Sequence, residues 1–389
     1  MQLKSFAFSE LEGTPRQWEV SRFNLQQVNL FVGRNSSGKS RVLNCMSALG
    51  GLIKRPPERF WESGSWECVF DHDGAEYRLS LKIRDKLVAE ETLVVDGRPY
   101  LDRDKQGRGT MWAEKLGQKI EFKVPQDTLV IHSRRDEVQH TYLEPLFSWS
   151  TSIRKYSFGT DFGKQTIYAA PLDRIESASD EPAIAIDPEK VVELYAEGFR
   201  RFGDAFDKDI LRDFAQVGYE CSEITCQPIE GLDVLNNPAA HLIMGRLPLA
   251  LYVKERDLPG FTRQHEMSMG MYRALALLIN LNFTVKSGQP ASVIVDDIGE
   301  GLDFERSMAL IKLLIKKCKR KNIQLLMATN DRFVMNEVEL RYWHVVHRTG
   351  NHVKILDYQN SKKRFDDFKF LGLSNFDFFS REAYLESQP

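Results

Sequence analysis

No run of 18 uninterrupted apolar residues occurs in this 389-residue chain, so no segment reads as a membrane-spanning helix. The most apolar stretches, Leu247 to Val253 and Leu275 to Leu281, have the length of core elements. The opening Met-Gln-Leu-Lys-Ser-Phe alternates as a strand does and lacks the apolar centre of a signal peptide. Cysteine is scarce and odd in number: Cys45, Cys68, Cys221, Cys226 and Cys318 are scattered, which excludes a disulfide scaffold and suits reduced thiols in the cytoplasm. Cys221 and Cys226 have no second cysteine or histidine pair to complete a metal site, so packed thiols in a strand or its turn are expected there. An excess of one charge is missing too. With 53 Lys plus Arg against 55 Asp plus Glu, a net −2 gives no bulk attraction to nucleic acid or anionic lipid. Internal repeats, low-complexity segments and sustained heptads are absent, which excludes a solenoid and a long coiled-coil arm.

What remains is ordinary globular composition, 42% hydrophobic and 28% charged, long enough for two or three domains or for one large α/β core with an inserted lobe. Residues 1 to about 55 read as strand, turn, strand and Gly-rich loop into helix. From Trp66 to His132 short alternating runs (Glu67 to Phe70, Tyr77 to Ile83, Thr92 to Val95, Ile120 to Lys123, Thr128 to Ile131), with turns at Asp73-Gly74 and Asp96-Gly97, predict an antiparallel meander. Residues 140 to 185, with Pro145, Pro171 and Pro182, read as irregular with short helices. Asp187-Pro188 then opens a helix through Phe206, and Lys208 to Val217 forms another. From Leu242 strand and helix alternate: Leu247 to Val253, Tyr272 to Val285, Ser292 to Val295, Arg306 to Lys321 and Gln324 to Thr329. Short strands and an aromatic tail, Phe365, Phe368, Phe370, Phe376, Phe378 and Phe379, close the chain, with most of these rings expected in the core.

Gly33-Arg34-Asn35-Ser36-Ser37-Gly38-Lys39-Ser40 fits G-x-x-x-x-G-K-[ST], between the apolar strand Asn29 to Val32 and a helix. Backbone N–H groups of such a loop and the positive helix end converge on phosphates. Lys39 then reaches the β and γ phosphates, and the Ser40 hydroxyl ligates Mg²⁺. Gly33, Asn35, Ser36, Gly38, Lys39, Ser40 and Arg41 are the expected nucleotide-binding residues of this segment. The strand Val293 to Val295 ends in Asp296 and Asp297, which suits one acid on the magnesium shell and a neighbour acting as general base on water. Asp297 is one methylene shorter than a Glu, so slow hydrolysis is expected.

Between these motifs lies Ser268-Met269-Gly270-Met271-Tyr272-Arg273, at the start of the helix that leads to the acidic strand. Here the sequence resembles ABC-type ATPases of the SMC, RecF and OLD group, whose signature loop has this S-x-G form. The run Asp296-Asp297-Ile298-Gly299-Glu300-Gly301-Leu302-Asp303 looks like that group's D-E-P-x-x-G-L-D, which makes Asp303 the D-loop aspartate. Asn330 follows Thr329 where the group carries its switch histidine. The resemblance implies an α/β fold, a P-loop NTPase of ABC/SMC-head type with an antiparallel β-subdomain and a small, mostly helical inserted lobe. It divides the chain into residues 1–140, 141–240, 241–340 and 341–389: N-terminal ATPase lobe, inserted lobe, C-terminal ATPase lobe and tail. It implies ATP and Mg²⁺ as cofactors and a homodimer or higher oligomer in which Lys39, Ser40 and Asp296 of one chain face Ser268 and Gly270 of another. Asp297, Asn330 and Asp303 are the implied catalytic residues. Gln139 is the candidate for the group's Q-loop glutamine.

The short middle lobe argues against a chromosome-organising or break-repair machine. In plan the chain looks like the compact ATPases of anti-phage defence, such as PARIS-type and Septu-type subunits, which gate a companion nuclease or toxin. The competing class is a RecF-like ATPase that binds DNA. Its candidate contact is the run Lys312, Lys316, Lys317, Lys319, Arg320 and Lys321, although cations near a helix C-terminus also fit a solvated end that complements the dipole. A membrane transporter subunit is disfavoured.

Overall fold

The computed structural model describes residues 1–54, 62–171, 187–229, 246–288, 291–369 and 371–384. The expectations for Pro182, Leu242, Phe370 and parts of the middle lobe lie outside the described residues. Strands β1 (Gln2–Glu10) and β2 (Trp18–Asn24) form a hairpin with Phe6, Phe8, Trp18 and Phe23 buried. Strand β3 (Val28–Val32) is buried at every position, as a strand covered on both faces must be, and the phosphate-loop segment leads from it into α1 (Lys39–Lys54). The meander follows as β4 (Ser63–His72), β5 (Ala75–Arg84), β6 (Leu87–Val95), β7 (Arg98–Arg103), β8 (Arg108–Ala113) and β9 (Gln118–Lys123). Both residues of each predicted turn take positive φ, 53° and 88° at Asp73-Gly74 and 47° and 76° at Asp96-Gly97, the geometry of a tight two-residue hairpin. Strands β7 and β8 go beyond the expected set; their charged, Gly- and Pro-containing segments alternate weakly yet pair in the sheet.

Thr128 to Ile131 reads as a strand, but the chain makes a short helix there, α2 (Val130–Ser133). The N–H groups of Val130 and Ile131 donate to the buried Glu91 carboxylate at 2.8 and 2.9 Å instead of to a sheet partner. Next come α3 (Glu144–Ser152), β10 (Ile153–Ser157) and β11 (Tyr168–Pro171). The single helix expected from Asp187 to Phe206 is two: α4 (Val191–Phe202) stops at Gly203, whose φ of 56° breaks the helix, and α5 (Asp204–Gln216) restarts at once. Asp187 makes a turn rather than a cap, accepting the Glu189 N–H at 3.0 Å. The remaining elements are β12 (Cys221–Pro228), β13 (Arg246–Glu255), β14 (Thr262–Arg263), α6 (Met269–Ser287), β15 (Ser292–Asp296), α7 (Phe304–Arg320), β16 (Gln324–Thr329), α8 (Arg332–Glu337), β17 (Trp343–Thr349), β18 (His352–Asp357), α9 (Lys362–Lys369) and α10 (Asn375–Ser380).

Two compact units result, Met1–Arg154 with Pro290–Asp296 and Cys318–Pro389, and Lys155–Gln289 with Asp297–Lys317. The lobe expected over 241–340 is thus shared between them. In the first unit the sheet runs in the order β15-β16-β3-β17-β18-β2-β1-β4-β5-β6-β7-β8-β9. Strands β15, β16, β3 and β17 are mutually parallel, and the segment from β1 through β4 to β9 is antiparallel. In the second unit β13 pairs antiparallel with β11, β12 and β14. Its core helix α6 is buried continuously from Gly270 to Thr284 and packs against α4 and α5. Cys221 and Cys226 lie in β12, and burial pushes their thiols up to about 11 and about 12. Among the described residues no group of three or more His, Cys, Asp or Glu side chains could hold a metal. None of the described helices is long and apolar enough to cross a membrane.

Within the basic run, Lys317 departs from a solvated face. Its side chain is 15% exposed and pairs with Asp213, itself 1% exposed, while its Nζ also donates to Asn282 at 2.6 Å.

Candidate functional site

In the first unit, β3 delivers the chain to Gly33 and α1 begins at Lys39. The loop between them requires its glycines. A Cβ on Gly33 would lie 2.6 Å from Ser37 Oγ and 2.8 Å from the Val346 carbonyl, and Gly38 sits at φ 104°. Ser36 also takes positive φ, 62°, a conformation uncommon for a residue other than glycine. Lys39 is 5% exposed, and its Nζ donates to the carbonyls of Gly33 at 2.9 Å and Arg34 at 3.3 Å. Ser37 Oγ is buried and has no hydrogen-bond partner among the described residues. A buried hydroxyl lacking an acceptor or donor and a lysine folded onto its own loop fit an anion bound within that loop.

Ser40 Oγ donates to Asp296 Oδ1 at 3.0 Å, so residues 256 positions apart meet at the end of the parallel strands. A hydroxyl and a carboxylate side by side are a hard oxygen pair of the kind that holds Mg²⁺ with a phosphate, and these residues fit that ion. Asn330 is exposed and follows β16, whose last residue Thr329 is in register with Val32. It therefore leaves its strand beside Gly33. Asp331 turns the chain into α8 by accepting the Phe333 N–H at 2.7 Å. Around the loop, Asn35 and Ser36 are exposed, Arg34 pairs with Glu382 of the tail, and Arg348 Nη1 donates to the Ser36 carbonyl at 3.3 Å. Arg41 turns toward the β1–β2 hairpin: its guanidinium lies 4.1 Å over the Trp18 ring and pairs with Glu10. Gln139 is not brought to this loop. Its side chain accepts the Lys115 N–H at 3.2 Å beyond β8, at the other end of the sheet from β3, which removes the reason for assigning it a nucleotide contact.

The second unit holds the other candidates. Ser268 caps α6, its Oγ accepting the Met271 N–H at 3.2 Å. Gly270 is obligatory for packing: a Cβ there would collide with the Gly301 carbonyl and come within 3.1 Å of the Leu302 side chain. The start of α6 and the segment Gly301-Leu302-Asp303 are therefore in contact. Arg273 reinforces the junction, donating from Nη1 to the Glu300 carbonyl at 3.0 Å, from Nη2 to Gly159 at 2.9 Å and from Nε to Thr160 at 2.7 Å. Asp303 accepts the Arg306 N–H at 2.9 Å at the start of α7 and pairs with the Arg306 guanidinium; these donors hold its carboxyl below the usual range. Asp297 has φ 55°, turning the chain out of β15, and its carboxylate borders Gly159.

Ser37, Arg273 and the loop 159–166 escape a reading by motif. Ser37 occupies an unspecified position of the loop pattern, and the partners of Arg273 are 27 to 114 residues away. The spacing of Gly159 and Gly163 ahead of Lys164 is the one local signal that this loop makes close contacts.

No curated protein matches the chain. Among solved structures, an SMC head bound to the C-terminal winged-helix domain of ScpA is similar with a TM-score of 0.54 at 14% identity, over 93% of this chain and 100% of that one. An SMC head with an extended coiled coil, bound to the C-terminal domain of ScpA derived from Pyrococcus furiosus, has a TM-score of 0.51 at 12% identity, over 95% and 99%. At these identities the likeness is one of fold. The family described as "AAA domain, putative AbiEii toxin, Type IV TA system" matches residues 28–336, from the first residue of β3 to α8 beyond Asn330. The chain thus belongs to this AAA-domain family and has the fold of an SMC-type ATPase head.

Proposed function

We propose that the protein binds Mg-ATP, hydrolyses it slowly, and closes as a two-copy sandwich that switches a companion effector. The observation that carries this reading is the 3.0 Å contact of Ser40 with Asp296, beside a buried Lys39 held on the carbonyl of Gly33. Lys39 would exchange that carbonyl for the β and γ phosphates, with the loop N–H groups and Ser37 Oγ as further donors. Ser40 and Asp296 would hold magnesium, which neutralises phosphate charge when bound. Asp297 would accept the proton of the attacking water, from a shorter side chain than the family's Glu, and the Asn330 amide would orient that water without taking a proton. Slow turnover follows from both departures. Ser268 and Gly270 of a second copy would cover the nucleotide, as the resemblance to SMC-type ATPases implies. The family's description, which names a toxin–antitoxin system, supports an effector such as a toxin or nuclease in anti-phage defence.

Titration with a fluorescent ATP analogue tests the site. Lys39→Ala should weaken binding by about a hundredfold, the worth of a lost charge-assisted contact to phosphate. Asp296→Asn should retain magnesium-free binding and lose the gain that Mg²⁺ confers. Unchanged binding by Lys39→Ala would place the nucleotide elsewhere.

A further inference from the structure

Arg34, the second residue of the phosphate-loop segment, is tied to the loop by its backbone and to the C-terminal tail by its side chain. Its carbonyl accepts the Ser37 N–H at 3.1 Å and the Lys39 ammonium at 3.3 Å, so the residue stands within an arginine's reach of the group expected to meet phosphate. Its guanidinium pairs with Glu382, the two side chains being 75% and 38% exposed. An ion pair so exposed to water is weakly held. The loop pattern leaves position 34 unspecified, so it does not itself call for a cation there.

Glu382 sits where a glycine is expected. Helix α10 ends in a closed turn in which the Glu382 N–H donates to the Phe379 carbonyl and the Ala383 N–H to the Phe378 carbonyl, both at 3.1 Å, with Glu382 at φ 54°. Glycine enters this left-handed position without strain, and asparagine is its usual substitute. The turn therefore gives no reason for a glutamate. Among the described residues, the one hydrogen-bond or ion-pair partner of its carboxylate is Arg34. Nor is this a fraying end. Tyr384 is 3% exposed, its carbonyl accepts from Arg364 Nη1 at 2.8 Å, and its ring centre lies 6.3 Å from that of Phe378 and 6.2 Å from that of His347. An anchored segment thus presents the carboxylate to the phosphate loop.

A phosphate chain and this carboxylate compete for one guanidinium. The carboxylate holds it through an exposed pair, whereas a phosphate beside a lysine and converging N–H groups is the stronger acceptor. We infer that Arg34 is a further phosphate-binding residue of the loop, and that Glu382 is its competitor within the chain, through which the C-terminal tail sets nucleotide affinity. The inference rests on the nucleotide reading above and needs no second copy of the chain. When Arg34 turns to the phosphates, Glu382 is left solvated, and its negative charge near the loop opposes the nucleotide.

The test is a double-mutant cycle, read by titration with a fluorescent ATP analogue and Mg²⁺ at low ionic strength. Arg34→Ala should weaken binding by about tenfold, and Arg34→Lys, which keeps the charge, should stay within about threefold of the wild type. Glu382→Gln should tighten binding by about three- to tenfold, and that gain should fall below about twofold when residue 34 is already Ala. Thermal midpoints close to that of the wild type show that the variants are folded. A Glu382→Gln variant that binds no more tightly than the wild type overturns the competition. An equal gain in the Arg34→Ala background assigns the effect to bulk charge and overturns it as well. A loss in Arg34→Lys equal to that in Arg34→Ala makes Arg34 a residue of loop shape and overturns the phosphate contact. In each of these cases the nucleotide reading stands if Lys39→Ala weakens binding; if Lys39→Ala binds as the wild type does, both fall.

Discussion

Glu91 is fully buried and faces Arg103 across β6 and β7. Burial pushes its carboxyl up to about 7 from its ordinary 4.5, against the pull of two backbone donors and the Arg103 charge. Between about pH 4.5 and 7 the folded chain keeps a proton that the unfolded chain has lost. This contribution to stability is therefore full below the unfolded value and is lost as pH rises to the folded one, by about 3 kcal/mol at most. The wild type should melt at a lower temperature at pH 7.5 than at pH 5, and Glu91→Gln should remove most of that difference; an unchanged slope would assign it to other groups. At this scale the sequence was legible wherever chemistry is contiguous. Gly33 to Ser40 and Asp296 could be named because a loop and a strand end declare themselves in a few letters. Glu91, Lys164 and Arg273 could not, because each is defined by partners 27 or more residues away.

Among the elements, local pattern succeeded for strands that alternate or are wholly apolar and failed where one tertiary contact decided. Val130-Ile131 is β-branched and reads as strand, yet the carboxylate of Glu91 captures its N–H groups and makes it helix. Gly203 splits a run of helical spacing, since a positive φ has no signature beyond the glycine itself. In the tail, the rings of Phe365, Phe368 and Phe378 are buried, with Phe378 centred 4.6 Å from Phe365 and 5.0 Å from Phe368. Phe376 and Phe379 are half-buried. The tail therefore completes the first unit instead of offering a row of exposed anchors. Phe378→Ala should cost about 3 to 5 kcal/mol in denaturant unfolding. Truncation after Lys363 should give an unfolded or aggregated product; a folded truncation that has lost a partner would support docking instead.

For the whole molecule, a P-loop in one unit and a signature helix in the other are the two halves of the proposed nucleotide sandwich. Two chains contribute two such halves each, so assembly should respond to ATP and fail when either half is damaged. The measurement that tests this most directly is the light-scattering mass of the purified protein without nucleotide, with Mg-ATP, and with Mg-ATP on Lys39→Ala and Ser268→Arg variants. The account predicts a mass that rises to at least a dimer with Mg-ATP and stays at the nucleotide-free value in both variants. A mass that stays at one chain while ATP is bound, or a rise that survives Ser268→Arg, would contradict it.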